Sequence, residues 1–267
     1  MDDIVVSATD GVGTVRLNRP SRGNSVTPDV VTRLGEAVRN LVEVDDVGAV
    51  VLTGTGSVFC AGADVKDMFE IHTSDGPDGL MDYLGATWMP AVQRLVRLLW
   101  SAPKPLIAAY NGSATAGGLD FGLSCDLRVA ATSARFAESY VNLGMVPVAG
   151  GAYLLPSLIG LAAATRMLAT GAFINAEEAL RLGMVAEVCA DDALIVRAHE
   201  IALEMTHGPS ATFARAKRVA RAASTVELEA ALQESLAANI DLIALPEVRT
   251  RILDVMERYG QARARHA

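Results

Sequence analysis

Histidine, cysteine and aromatic residues are scarce in this chain of 267 residues, which holds four His, three Cys and 5% Phe, Trp and Tyr together. The cysteines, Cys60, Cys125 and Cys189, are odd in number, far apart and in no metal-ligand spacing. They read as small apolar residues of a reducing compartment, with no disulfide and no metal site. His72, His199, His207 and His266 stand in no motif, so a hydrolase built on Ser113 has no recognisable base. Positive charge is also lacking. A net charge of −8 excludes a general nucleic-acid or membrane-surface role, and the short basic tail Arg263, Arg265, His266 reads as a frayed end. No apolar run reaches the roughly 18 residues of a membrane span. The start, Met-Asp-Asp, has neither a basic n-region nor an apolar h-region, so a cytoplasmic location is expected.

Half of the residues are hydrophobic, 51%, and at this length they supply one sizeable core, with no repeat or low-complexity linker to divide it. Ile4 to Ser7 and Val12 to Leu17 flank Asp10-Gly11 and predict a β-hairpin. Thr27-Pro28-Asp29 supplies an N-cap, a first-position proline and a first-turn acid, and Val31, Leu34, Val38 and Leu41 follow at helical spacing. Ala49 to Leu52 reads as a strand buried on both faces. Asp67 to Trp88 loses periodicity and reads as a loop or broken helix, and Pro90 to Trp100 as a helix. Leu127 to Ala130 and Phe136 to Val141 read as strands, Gly150-Gly151 as a helix start, and Ala176 as the start of a helix that Gly183 ends. From about Asp191 only helices are expected: one before His207, one from Ser210 with Lys217 and Arg218 exposed, one over residues 225–245 and one after Pro246. Strands alternating with helices give an α/β class.

Lys104 to Asp126, KPLIAAYNGSATAGGLDFGLSCD, is the stretch around which the rest is organised. Leu106 to Tyr110 is a short apolar strand, Asn111-Gly112 a turn, and Gly117-Gly118 opens a helix that carries one acid, Asp120. A helix N-terminus reached through small residues presents unpaired N–H groups to an oxyanion. Asp120 in its first turn is equally an acid that simply complements the helix dipole.

This stretch and Val58 to Met68, VFCAGADVKDM, together resemble the enoyl-CoA hydratase/isomerase family, the crotonase superfamily. That family carries F-x-A-G-A-D-[ILV]-K and then K-P-[VLI]-I-A-A-x-N-G-x-A-x-G-G, in this order. Phe136 to Gly151, FAESYVNLGMVPVAGG, resembles its third block, and the similarity runs through Leu155-Pro156, Gly160 and Thr170-Gly171. The resemblance implies a crotonase-like spiral core of ββα repeats over residues 1–190 that binds an acyl-CoA thioester. It implies a helical region over residues 191–267 that closes the pocket and builds a homotrimer or homohexamer. It implies no cofactor, coenzyme A being part of the substrate. The backbone amides of Ala63 and Gly117 would form an oxyanion hole for a thioester enolate. Contacts to CoA and substrate would come from Arg22, Ala61, Ala63, Asp64, Val65, Lys66, Gly117 and Gly118. Arg22 reads first as a solvated loop arginine, and the Asp64 side chain as a cap or turn hydrogen-bonder. Asp126 reads as a buried turn acid. Met68, Phe69, Met81, Tyr83, Leu84 and Trp88 are candidates for an apolar acyl pocket.

At the proton-handling positions the chain departs from the family. Hydratases use two glutamates, and here those positions are Asp120 and Tyr140; where some isomerase relatives place an acid stands Val148. Asp120 is the expected general acid/base. Glu138, two residues before Tyr140, would share its face if the segment is extended, and reach the site. Tyr140 would bind water or substrate, or close the pocket. The resemblance implies a lyase or isomerase. Hydration of a 2-enoyl-CoA leads by family, with single-carboxylate double-bond isomerisation beside it. A decarboxylase, a thioesterase and a non-catalytic acyl-CoA-binding protein remain as alternatives.

Overall fold

Residues Ile4–Thr9 (β1) and Val12–Leu17 (β2) pair as the antiparallel hairpin their alternation predicts. This hairpin opens the fold in the computed structural model, which describes residues 2–264; Arg265 and His266 of the basic tail lie outside them. Thr27 caps Pro28–Glu43 (α1), its hydroxyl accepting from the Val30 amide at 3.3 Å. Ala49–Gly54 (β3) and Val58–Cys60 (β4) lead into Val65–Asp82 (α2) and Met89–Ser101 (α3). Leu106–Tyr110 (β5), Ser113–Thr115 (β6) and Gly117–Leu123 (α4) follow, then Leu127–Ala131 (β7), Arg135–Ala137 (β8), Gly151–Ile159 (α5) and Leu161–Thr170 (α6). Ile174–Asn175 (β9), Ala176–Arg181 (α7) and Glu187–Cys189 (β10) precede Leu194–Glu204 (α8), Ser210–Ala220 (α9), Ala222–Ala244 (α10) and Pro246–Ala264 (α11).

Two sheets result, in the orders β1-β2-β3-β5-β7-β10 and β4-β6-β8-β9. Each of β3, β5 and β7 in the first sheet passes directly to β4, β6 and β8 in the second, which pair in parallel. The chain thus advances as a spiral of strand pairs, and the residues after β4, β6 and β8 emerge at one edge. Asn111 fastens the first of these crossings: its carbonyl oxygen accepts from the Gly54 amide at 2.9 Å, and its amide donates to Gly56 O at 2.7 Å. The Asn-Gly turn is therefore a cross-link between successive turns of the spiral as well as a reversal.

Period-2 alternation divides the core. Val50, Leu52, Leu106, Ala108 and Tyr110 face the large cluster under α1, α3 and α4, whereas Ala49, Val51, Ile107 and Ala109 face Leu194, Ala198, Ile201 and Ala202 of α8. Although it follows the last strand, α8 completes the second face of the sheet. No helix among the described residues is long and apolar enough to cross a membrane.

Of the two readings for Asp67 to Trp88, the broken helix is the one found: α2 bends at Gly76 (φ 75°), just before Pro77, and Tyr83–Trp88 forms a wider π-type turn into α3. A kink and a wide turn destroy the 3.6 period, which is why no clear periodicity shows there. Two expectations need correction. Phe136 to Val141 is not one strand, because β8 ends at Ala137 and Ser139–Leu143 turns as a 3₁₀ helix. Lys217 is buried: its side chain is 7% exposed, and its ammonium meets Asp126 Oδ2 and the Ala102 carbonyl, each at 2.8 Å. Arg221 binds Asp126 Oδ1 at 3.0 Å and stacks over Trp100, 3.8 Å from the ring centroid. The partner lies 91 residues away, so helical periodicity gives no sign of it. Asp126 also accepts from the Leu106 amide at 2.8 Å and so fixes the start of β5.

Removing one member of a buried ion cluster leaves the others uncompensated. Asp126→Ala is expected to lower the unfolding free energy by about 3 kcal/mol in urea titration. A loss below about 0.5 kcal/mol, the scale of a surface substitution, would contradict this role.

Candidate active site

The chain leaves β4 through Ala61-Gly62-Ala63, and Asp64 caps α2 by accepting from the Lys66 amide at 3.0 Å and the Asp67 amide at 3.4 Å. Arg19 joins Asp64 at 2.9 Å, and Arg22 is also paired with it, so Arg22 is anchored rather than solvated. Burial alone would raise the Asp64 carboxyl, but the hydrogen bond and charge of Arg22, with Arg19, outweigh it and hold the group below its ordinary value. The cap reading of Asp64 thus fits the structure.

Val26 bridges this turn in parallel, its amide donating to Gly62 O at 2.8 Å and its carbonyl accepting from the Asp64 amide at 3.1 Å. That pattern leaves the Ala63 amide outside the bridge. Gly117 is the first residue of α4, and its amide has no intrahelical acceptor. The two turns abut. Gly62 has φ +84°, and a Cβ there would fall 3.2 Å from Thr115 O and 3.6 Å from the Gly117 amide nitrogen. Ala116, between β6 and α4, holds φ 49° and ψ −128° without being glycine, a conformation that costs on the order of 1–3 kcal/mol and clusters at functional sites. Its neighbours enforce it: the Ala116 amide donates to Ala137 O at 3.0 Å, and its carbonyl accepts from the Asp120 amide at 3.1 Å.

The third connection, after β8, delivers Glu138 and Tyr140. Their segment is not extended, so the predicted shared face does not exist, yet both converge on Asp120. The Tyr140 hydroxyl donates to Asp120 Oδ2 at 3.1 Å. Glu138 approaches from the other side: a Cβ on Gly151 would fall 2.6 Å from Glu138 Oε1 and 3.0 Å from Asp120 Cγ. Asp120 is 0% and Glu138 1% exposed. Burial pushes the Asp120 carboxyl up to about 7, against hydrogen bonds from Glu138, Tyr140 and the amides of Gly151 and Ala149, which pull it down. Burial, then the Asp120 charge, drives Glu138 well above its ordinary value.

In front of these groups lies a cavity of about 220 Å³ lined by Ala61, Ala63, Val65, Ala116, Tyr140 and an apolar wall that includes Met68, Leu84, Trp88, Met145 and Val255. The phenol of Tyr140 is its link to the acids: Asp120 and Glu138 do not line it. Of the predicted pocket residues, Met68, Leu84 and Trp88 line the cavity, whereas Phe69 packs against Tyr259 with tilted rings, Met81 is core, and Tyr83 donates to Asp67. Lys66 faces outward, 3.6 Å from Glu70, and Gly118 is buried in α4 against Cys60. Val148 is core, its carbonyl accepting from Gln93 at 3.1 Å. Sequence reasoning missed Ala116, Ser139, Asn142, Leu143, Met145 and Val255. Ser139 and Asn142 sit beside Tyr140 in the third block, and that adjacency is the one signal that pointed to them.

Gly151 is small because two carboxyl groups fill the space of its side chain. Gly151→Ala is expected to cost about 2 kcal/mol of stability through overpacking. The cost should fall by at least about 0.5 kcal/mol in a Glu138→Ala background, measured as a double-mutant cycle. Strict additivity would contradict the packing.

Residues 7–259 match the family model described as enoyl-CoA hydratase/isomerase. Among curated proteins, the chain is 34% identical over 232 residues to the 1,2-epoxyphenylacetyl-CoA isomerase of Escherichia coli K12, covering 87% of each chain. It is 34% identical over 203 residues to the short-chain-enoyl-CoA hydratase of Clostridium acetobutylicum, covering 76% of this chain and 74% of the relative. Among solved structures, an enoyl-CoA hydratase from Mycobacterium avium subsp. paratuberculosis superposes with a TM-score of 0.81 at 27% identity, over 95% of this chain and 98% of that one. The spiral of paired strands is thus the fold of relatives matched along nearly the whole sequence, and the chain belongs to the enoyl-CoA hydratase/isomerase family.

Proposed function

We propose that this protein moves the double bond of an enoyl-CoA thioester with an apolar acyl group, using one proton-transfer path and no cofactor beyond the coenzyme A of its substrate. The observation that carries this is the Tyr140–Asp120 pair: one phenol reaches the cavity and one carboxyl stands behind it. In this reading the thioester oxygen lies between the amides of Ala63 and Gly117, which stabilise the enolate without changing protonation state. The C2–H bond of a 3-enoyl ester breaks, its proton passes to Tyr140 Oη as the phenol proton moves to Asp120, and the electron pair enters the dienolate. Return of a proton along the same path to C4 leaves the double bond between C2 and C3. Tyr140 must act in concert with Asp120, because burial raises its own pKa well above the usual phenol value and makes a free phenolate costly.

Arg22, which shares Asp64 with Arg19 and has no other carboxylate partner among the described residues, supplies positive charge for the phosphates of coenzyme A beside the turn that holds Ala63. Val219, Val226, Ile240 and Leu245, exposed on and just beyond α9 and α10, are the surface we assign to contacts between copies in a homotrimer or homohexamer. Hydration of a 2-enoyl-CoA is the second reading, favoured by the hydratases among the relatives. It needs the same two amides, with a water held by polar residues such as Ser139 and Asn142 on the cavity wall.

NMR of 2-enoyl- and 3-enoyl-CoA esters in deuterated water separates the two. Double-bond migration with deuterium at C2 or C4 is expected, and a 3-hydroxyacyl ester as the main product would replace this reading by hydration. Asp120→Asn and Tyr140→Phe should each lower kcat by about 100-fold or more, with ester binding retained. Because Asp120 accepts the proton as a carboxylate, kcat/KM should rise as pH increases through about 7. A rate that falls over that range would contradict the assignment.

A further inference from the structure

We propose that Glu138 is a positioning residue that stays a protonated carboxylic acid and donates to Asp120, so that the buried pair carries one negative charge, held on Asp120. Three oxygens of the pair, Asp120 Oδ1 and both Glu138 Oε atoms, are buried and meet no hydrogen-bond donor among the described residues. Two ionised carboxylates would leave all three unsatisfied side by side, and one shared proton resolves the contact.

The surroundings provide nothing else to do so. Tyr140 faces the pair from the 139–143 turn and is spent on Asp120 Oδ2. Tyr110 faces it from β5 and donates to Leu119 O at 3.1 Å. Arg128, the cation beyond Tyr110, is committed to the carbonyls of Met184 at 2.7 Å and Cys125 at 3.1 Å. From α5 and the residues before it only the backbone amides of Gly151 and Ala149 approach, and they pull the Asp120 carboxyl down without supplying a donor to Oδ1. The Tyr140 hydroxyl donates to Asp120, and the nearby amides of Gly151 and Ala149 favour its carboxylate, while Glu138 has neither, so the proton belongs on Glu138. The consequence is mechanical: Glu138 fixes one oxygen of Asp120 and leaves the other aimed at Tyr140. This role rests on the proposed reading of Asp120 as proton acceptor.

The test begins on the full-length protein without substrate. Infrared difference spectra at neutral pH, with and without ¹³C-labelled glutamate, should show a protonated carboxylic acid band that moves with the label and is lost in Glu138→Gln. Absence of that band overturns the proposal whatever reaction the enzyme catalyses. On enoyl-CoA turnover, Glu138→Gln keeps a neutral donor and should retain kcat within about threefold, with the acid limb of the pH profile unmoved. Glu138→Leu removes the donor and should lose kcat about tenfold or more, at unchanged KM, with the limb moved to higher pH. A limb in Glu138→Gln moved down by about one pH unit or more would show that a charge had been removed, and would overturn the proposal. Should the enzyme catalyse neither reaction, the infrared band still decides the protonation of Glu138.

Discussion

Asp120 and Glu138 lie side by side with no water-facing surface and no cation in ion-pair reach among the described residues. An isolated buried carboxylate carries an effective penalty of several kcal/mol, so the fold has to supply donors, share a proton, or both. A phenol donates to Asp120, two backbone amides approach it, Gly151 leaves the space that the pair occupies, and the shared proton proposed for the pair completes the contact. The cost of this burial is what raises Asp120 toward neutrality, where a carboxyl can take up and return protons. Stability is given up at the place where chemistry is wanted.

The spiral makes that convergence possible. Because β4, β6 and β8 run parallel, the turns that follow them meet at one edge, bringing Ala63, Gly117 and Tyr140 together from positions as far as 77 residues apart in the chain. Each turn does separate work. The first presents an amide next to a capped helix, the second an amide at a helix start held in strained backbone, the third a phenol. The ion cluster of Asp126, Lys217 and Arg221 ties α9 back onto the start of β5, which leads into the second turn.

Local signals in the sequence were sufficient for the hairpin, the capped α1, the buried β3 and β5 and the glycine turn, because alternation, caps and Asn-Gly act over a few residues. Resemblance then linked Ala63 with Gly117 and marked Tyr140 as the departure. What stayed hidden was nonlocal. A kink at Gly76 and a π-type turn erased the period of residues 67–88. Glu138 meets Asp120 beside a 3₁₀ turn and not along a strand, so the shared face expected from period-2 alternation does not exist. Lys217 looked like an exposed helix lysine because its partner lies 91 residues away in the sequence. Val255 contributes to the cavity wall from α11, far beyond the reach of any motif.

In the proposed mechanism every proton passes between the cavity and Asp120 through Tyr140. The most direct measurement is wash-in of deuterium at the α-carbon of a saturated acyl-CoA in deuterated water, followed by NMR, which reports enolate formation whether or not a double bond moves or water adds. Exchange by the wild type that is suppressed in both Asp120→Asn and Tyr140→Phe is the predicted result. Exchange that persists at the wild-type rate in either variant would contradict the account.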